Sequence, residues 1–342
     1  MRKAITALLI VCLSFGASAI LAEPSHSTLY TIVRLPSLGG KQISVSAIND
    51  RGQIVGTASD AKGRSHAVLW QGGKLIDIGV LPGYDKSYAS GINNVGQVVG
   101  WSEKPDPKYE SASQAFMWQK GKLQALPTLG SETMAVGINN KGQIVGFAFT
   151  SSFVSHAVLW ENGRIVDLGS SPTKESIYNA DAINDDGLIA GEVITFKQFH
   201  SYFDLAIYYK GGMIDLGVIK GRRTRVKAVN NQDEIVGWAE VPVHAEKIEG
   251  YVAVVHGGKL KNLRVLPAGS SVWDINDKGQ IVGQLGDRAF VESQGKIQDL
   301  NSGIPKQTGW VLWTAQGINN RGQIIGRGLY KGQESAFLLS PK

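Results

Sequence analysis

The side chains of this chain that could do chemistry fall into two groups. The first is aromatic and basic: Trp101, Tyr109, Phe147, Trp238, Trp273, Trp310 and Trp313, with Lys104, Lys108, Lys197, His200, His244 and the run Arg222, Arg223 and Arg225. Aromatic faces suit sugar rings or peptide side chains, and arginine suits carboxylate or phosphate. The second is polar and confined to tight turns, as in Asn184-Asp185-Asp186-Gly187. That turn lacks the alternating acids of a calcium loop. His200 and His244 have Asp204 and Glu246 close by in sequence, enough for a metal or acid/base site only if the fold gathers them. The chain has no Gly-x-Ser-x-Gly elbow, no phosphate-cradling loop and no His-Glu-x-x-His. No catalytic residue, metal or cofactor is therefore expected.

What must position these residues is a repeat. The phrase Ile138-Asn139-Asn140-Lys141-Gly142-Gln143-Ile144-Val145-Gly146 recurs from Ile48, Ile92, Ile138, Ile183, Val229, Ile275 and Ile318, at intervals of 43 to 46 residues. A steady period of that length marks a repeat architecture. Each unit reads as four strands. The phrase contains the turn from the first to the second. Segments such as Ser65-His66-Ala67-Val68-Leu69-Trp70 form the third, and Lys74-Leu75-Ile76-Asp77-Ile78-Gly79 the fourth. Asn-Asp/Asn-x-Gly between apolar runs suits a hairpin whose glycine takes φ > 0. Asp233 occupies that glycine slot once, and aspartate tolerates the left-handed region better than most residues. Consecutive apolar positions, as in Val158-Leu159-Trp160, fit sheets buried on both faces.

Seven four-stranded units predict an all-β fold: a seven-bladed β-propeller forming one domain over residues 28–342. A linear solenoid would want capping repeats at both ends. Here the last unit stops after its third strand, Ser335-Ala336-Phe337-Leu338-Leu339, and residues 30–39 read like residues 122–130. The N-terminal strand is thus expected to complete the seventh blade and close the ring. Ile32 and Val33 would each contribute about 1.5–3 kcal/mol of burial.

The units share an Ala-Ile-Asn-x-x-Gly-x-Val-Val-Gly-like phrase, His-Ala-Phe-like strands at Ser65-His66-Ala67-Val68 and Ser155-His156-Ala157-Val158, and endings such as Asp167-Leu168-Gly169. In these features the chain resembles the HAF family of extracellular repeat proteins over nearly its whole mature length. Leu205-Ala206-Ile207 departs by lacking the histidine, and Asp274 by replacing a small residue. The resemblance implies an exported repeat protein and carries no established activity with it.

Compartment follows from the first residues. Arg2 and Lys3, an apolar run over residues 4–16, and Ala17-Ser18-Ala19 read as a signal peptide over residues 1–22, cleaved after Ala19 or Ala22. The expected location is periplasmic or secreted. Cys12 is the chain's one cysteine and lies in that segment, so the mature chain would have neither disulfide nor thiol nucleophile. The formal charge of +6 loses two units with Arg2 and Lys3, too weak a basic balance to argue for nucleic acid. No later apolar stretch is long enough to span a membrane.

Residues that recur in one slot read as structural. These include His66 and His156, Trp70, Trp118 and Trp160, Asp77, Asp167, Asp215 and Asp299, and the seven phrase asparagines. Both kinds of tight turn fall at one end of the blades. Long irregular loops over residues 101–113, 192–204 and 238–250 are expected at the other, where variable loops carry function. Thr57, Trp101, Phe147, Glu192, Trp238, Gln284 and Arg327 follow the phrase's final glycine and should ring that end, and about half of the candidate side chains there should be exposed. The expected function is a non-enzymatic binding or scaffold propeller recognising a glycan, anionic polymer or protein segment on that face. Trp101, Tyr109, Phe147, His200, Arg222, Arg223, Arg225, Trp238, His244, Trp273 and Trp310 would be the ligand contacts. The alternative is a polysaccharide lyase or hydrolase using the same face. Partners are expected among cell-envelope polymers or proteins.

Overall fold

The computed structural model describes residues 29–106, 110–152, 154–169, 176–197, 200–209, 212–217, 223–240 and 248–342; side chains of 106, 110–111, 176–178, 194–197, 200–210, 212–213, 215, 217 and 223 lie outside the description. The expected signal peptide also lies outside the described residues. No helix among them is long and apolar enough to cross a membrane.

The strands form seven antiparallel sheets of four. Blade 1 consists of Gly39–Ile48, Ile54–Asp60, Ser65–Gln71 and Lys74–Gly79. The innermost strands of blades 2 to 6 are Lys86–Ile92, Gly130–Ile138, Ser176–Ile183, Arg223–Val229 and Ser270–Ile275. Blade 7 takes Trp310–Ile318, Ile324–Tyr330 and Gln333–Pro341 from the C-terminus and Tyr30–Arg34 from the N-terminus, the latter paired from Tyr30↔Pro341 to Arg34↔Phe337. Each innermost strand touches the innermost strands of both neighbours, and that of blade 7 touches that of blade 1. The all-β propeller is thus a closed ring.

Two belts of hydrogen bonds show why the phrase needs its asparagines. In each blade the first Asx residue folds the turn: Asn139 Oδ1 accepts from the Lys141 and Gln143 amides at 3.1 and 3.0 Å. Its Nδ2 then donates to the corresponding carbonyl of the next blade. This contact repeats from Asn49 to Asn93, Asn139, Asn184, Asn230, Asn276 and Asn319, and Asn319 returns to Asn49, at 2.9–3.1 Å throughout. The second Asx closes a parallel belt. The amide of Asp50 donates to Asn94 Oδ1, and so on through Asn140, Asp185, Asn231, Asp277 and Asn320 back to Asp50. One residue type thus satisfies its own turn and tethers the neighbouring blade.

Blades 4 and 5 break the pattern in a coordinated way. Asn184 lacks the glutamine found four residues on in most blades, because Leu188 stands there, buried. Asp233 of blade 5, at φ 60° in the glycine slot, supplies the missing acceptor: Asn184 Nδ2 donates to its Oδ1 at 2.9 Å. Replacing Asp233 with alanine should therefore cost about 1–3 kcal/mol in chemical denaturation, since it leaves the Asn184 amide short of a partner and keeps the positive φ. Glycine at 233 would relieve the strain but not restore the bond, so it should not stabilise the chain despite matching the other blades.

The recurring outer residues are structural partners. Trp70 Nε1 donates to Pro36 O at 2.8 Å and Trp160 Nε1 to Pro127 O at 2.7 Å, so the two equivalent leader segments dock in the same way. His66 and His156 pair with Asp77 and Asp167 at 2.8 Å, and Arg288 pairs with Asp299 at 3.0 Å. The same aspartates accept the amides of Gly79, Gly169 and Asn301.

Two expectations need correction. Ile32 packs with Tyr30 against the blade 7 core, but Val33 is 55% exposed and contributes little burial. The anticipated irregular loops are largely hairpin. Val98–Asp106 pairs with Glu110–Gln119 as far as Asp106↔Glu110, and Ile189–Lys197 pairs with His200–Tyr209 as far as Lys197↔His200. Consecutive β-formers such as Val193-Ile194-Thr195-Phe196 extend the ladder.

Candidate functional site

The phrase's final glycine shapes the axial surface. A Cβ on Gly56, Gly100, Gly146, Gly191, Gly237, Gly283 or Gly326 would overlap a backbone carbonyl of the innermost strand: Ser44, Tyr88, Met134, Asn179, Arg225, Ser271 or Thr314 respectively. At that close approach the innermost strand carries an extra residue. Register shifts leave Ser46, Ser90, Val136, Asp181, Lys227, Trp273 and Gln316 unpaired, so each blade has a β-bulge at this position. A bulge bends its strand and re-aims a side chain. The bulged slot varies from blade to blade between Ala/Val and, in six of the seven blades, a small residue, a signal available in the sequence.

Bulged residues reach from blade to blade. Ser90 Oγ donates to Ala135 O at 2.8 Å, and the Lys227 ammonium lies 5.2 Å from the Trp273 ring centroid. Asp181 has a buried Oδ2 without a hydrogen-bond partner among the described residues, as do Trp273 Nε1 and Gln316 Oε1. Burial pushes the Asp181 carboxyl up to about 8; the Glu192 carboxylate adds to the rise, while Lys227 and Arg225 oppose it. Glu192 is also raised, by its own burial, although Arg225 Nη1 holds it at 2.6 Å and the Val226 amide at 3.1 Å. Tyr251, fully buried beside them, donates to Arg225 O at 3.0 Å. Burial pushes Asp274 up to about 7 even though the amides of Ile318 and Ile275 bond its carboxylate at 2.8 and 2.9 Å.

These carboxyls set a pH dependence. An aspartate whose folded pKa exceeds its unfolded value keeps a proton that the unfolded chain has already lost, so stability falls as pH rises between the two values. For Asp181 the window runs from the ordinary aspartate range to about 8. Asp181→Asn should therefore raise the melting temperature more at pH 9 than at pH 4, which thermal scans at the two pH values would measure.

The residues after the phrase's final glycine pair in register with equally variable residues of the innermost strands: Ser44↔Thr57, Tyr88↔Trp101, Met134↔Phe147, Asn179↔Glu192, Arg225↔Trp238, Ser271↔Gln284 and Thr314↔Arg327. Trp101 stacks on Tyr88 at 5.3 Å, and Phe147 meets Phe149 edge-on at 6.1 Å. Of the sequence-predicted contacts, Trp101, Phe147, Arg225, Trp238, Trp273 and Trp310 are all half-buried, where about half of the candidates were expected to be exposed. Trp273 is on a bulge. Trp310 packs on Tyr330 and Phe337 at 5.1 and 5.9 Å. Arg223 and Arg225 belong to the innermost strand of blade 5. Tyr109, Arg222 and His244 lie outside the described residues, as do the side chains of His200 and Arg223, so a His200–His244 pairing falls outside them too.

Among the described residues, cavities lie at both ends of the ring. At the turn end an axial pocket of about 200 Å³ is lined by the phrase isoleucines and both Asx belts. At the hairpin end a cavity of about 310 Å³ is lined by Gln42, Ser44, Thr57, Ser65, Tyr88 and Arg327, among others. It shares Ile43 and Glu334 with a groove of about 690 Å³ between blades 7 and 1, which also carries Arg34 and Lys41.

No protein-family model and no curated protein matches the chain. Solved structures do. YCF48 bound to D1 peptide superposes with a TM-score of 0.54 at 10% identity, covering 92% of this chain and 97% of that one. A puromycin-hydrolyzing peptidase of Mycobacterium tuberculosis gives 0.51 at 12% identity, covering 89% of this chain and 50% of the peptidase. Dipeptidyl peptidase 4 of Porphyromonas gingivalis gives 0.51 at 10% identity, covering 88% and 53%. The chain thus spans about half the length of these peptidases, and at such identities the likeness establishes a shared β-propeller architecture.

Proposed function

We propose that the chain is an exported, non-enzymatic binding or scaffold propeller. Its ligand is an extended polymer (a glycan, an anionic polymer or a protein segment) lying over the hairpin end. The supporting observation is where the repeats differ. At the turn end they hold the same Asx belts; at the hairpin end the seven register pairs hold different aromatic, charged and hydroxyl side chains on an identical backbone frame. A rigid frame that varies at one end is the usual setting for recognition. YCF48, a propeller of similar extent, is bound to D1 peptide in its solved structure. The HAF-like units agree with export.

A polymer-cleaving enzyme is the second reading. It draws on the gathering of Asp181, Glu192, Arg225, Lys227 and Tyr251, with two carboxyls displaced upward. Displaced pKa values of this kind cluster at functional sites. A glycan and cell-wall polymer binding screen, repeated with Trp101→Ala/Trp238→Ala, tests the first reading. The double variant should lose most of the binding at unchanged polymer length. Unchanged binding would remove the face, and shortened polymer would favour the enzyme.

A further inference from the structure

We propose that the hairpin end holds a subsite for an acidic glycan, one bearing uronate carboxylates, in the cavity formed by blades 7, 1 and 2, with Arg327 as its carboxylate-binding residue. The proposal rests on the polymer-binding reading and names the ligand class and the contacts.

Arg327 lines the cavity from blade 7. Its Nη1 bonds Glu334 at 3.0 Å, while its Nε is buried and has no hydrogen-bond partner among the described residues. Nε belongs to the edge on which a guanidinium grips a carboxylate with two parallel bonds. Directly across the ladder is Thr314, whose Oγ1 is likewise buried and unpartnered. Two orphaned polar atoms on one register pair are costly unless something completes them. A carboxylate entering the cavity meets the guanidinium, whose side chain is 36% exposed, and a small rotation of that side chain brings Nε within its reach.

The rest of the lining suits a sugar. Ser44, Thr57 and Ser65 offer hydroxyls, Gln42 an amide, and Tyr88 an aromatic face braced from behind by Trp101. Hydroxyl-rich walls with one aromatic platform match a pyranose ring, which stacks through its C–H face and bonds through its edge. The shared wall at Ile43 and Glu334 leads from this cavity into the groove carrying Arg34 and Lys41. Both are exposed, so two further cations lie beyond Glu334, whose charge Arg327 already offsets, and fit successive acidic units of one chain.

Titration calorimetry with oligogalacturonate, its carboxyl-reduced, neutral counterpart and an oligoglutamate peptide tests this on the full chain, with Arg327→Gln and Arg327→Lys. The Arg327–Glu334 pair is solvent-exposed, so both variants should keep their melting temperature. The acidic oligosaccharide should bind, the neutral one should bind at least about tenfold more weakly, and Arg327→Gln should lose about tenfold or more. Arg327→Lys should fall between, because it keeps the charge and loses the fork. Acidic-oligosaccharide binding unchanged in Arg327→Gln would overturn the subsite and leave the polymer-binding reading standing. Binding of an acidic peptide but of neither oligosaccharide, lost in Arg327→Gln, would overturn the glycan assignment. A chain that binds no polymer at all would sink both.

Discussion

Replacing Gly237 with alanine is expected to prevent blade 5 from forming. The new methyl would overlap the Arg225 carbonyl and sit 2.9 Å from the buried Tyr251 hydroxyl. Neither can yield cheaply. The carbonyl is fixed where its strand bulges, between Val226↔Gly237 and Ala228↔Val236, and Tyr251 is fully buried. The expected loss exceeds about 4 kcal/mol, in the range reserved for overpacking and backbone displacement. Because each blade is tethered to both neighbours through the Asx belts, the loss should appear as a lower midpoint for the whole chain rather than a local change. Gly121 gives the contrast. It has φ 84°, and nothing lies within 4 Å of the place a methyl would occupy, so alanine there meets only backbone strain of about 1–2 kcal/mol. Denaturant titrations of the two variants measure the difference. Similar midpoints would show that close packing of the bulge is not what the repeated glycine serves.

Deleting residues 29–38 is expected to open the ring. The strand Tyr30–Arg34 is the outer edge of blade 7, and Leu35, 7% exposed, is buried in the core shared by blades 7 and 1. Burial of Leu35 alone is worth about 1.5–3 kcal/mol. Losing the Pro36 carbonyl strands the Trp70 indole N–H at a further cost of about 1–3 kcal/mol. Tyr30 and Ile32 add their contacts with the core of blade 7. The sum, more than about 4 kcal/mol, should lower the melting temperature markedly and expose the edge of Gln333–Pro341 to intermolecular pairing. Val33→Ala, at an exposed position, should change little. A truncated chain that melts like the full chain, or a Val33 variant as damaging as Ile32→Ala, would contradict this closure.

The strand pattern was legible because each unit repeats its turn chemistry, and six Asn-x-x-Gly turns with one Asn-x-x-Asp turn leave little freedom in where hairpins reverse. The asparagines were legible as turn residues, but their reach into the next blade was not: the Asn139 contact to Asn184 joins residues that no local pattern connects. The exchange between Leu188 and Asp233 was hidden for the same reason, since each looks like a local defect until the two blades meet. Val33 was misread because a closing strand has one covered face, and alternation in so short a segment does not say which. Trp310 read as a surface aromatic and is packed on Tyr330 and Phe337, since its exposure depends on the neighbouring hairpin. Asp181 and Lys227 were overlooked, and Trp273 was named without its bulge, because a period-2 reading has no place for an extra residue.

The central claim is that the repeating end of the ring is frame and the varying end is working surface. One paired comparison tests it: binding of a cell-envelope polymer preparation by the full chain, by Trp101→Ala/Trp238→Ala, and by a variant with the exposed turn residues Arg51, Val95 and Lys141 changed to serine. Binding should fall in the first variant and persist in the second. Loss in the turn variant, with binding intact in the tryptophan pair, would place the working surface at the opposite end of the ring.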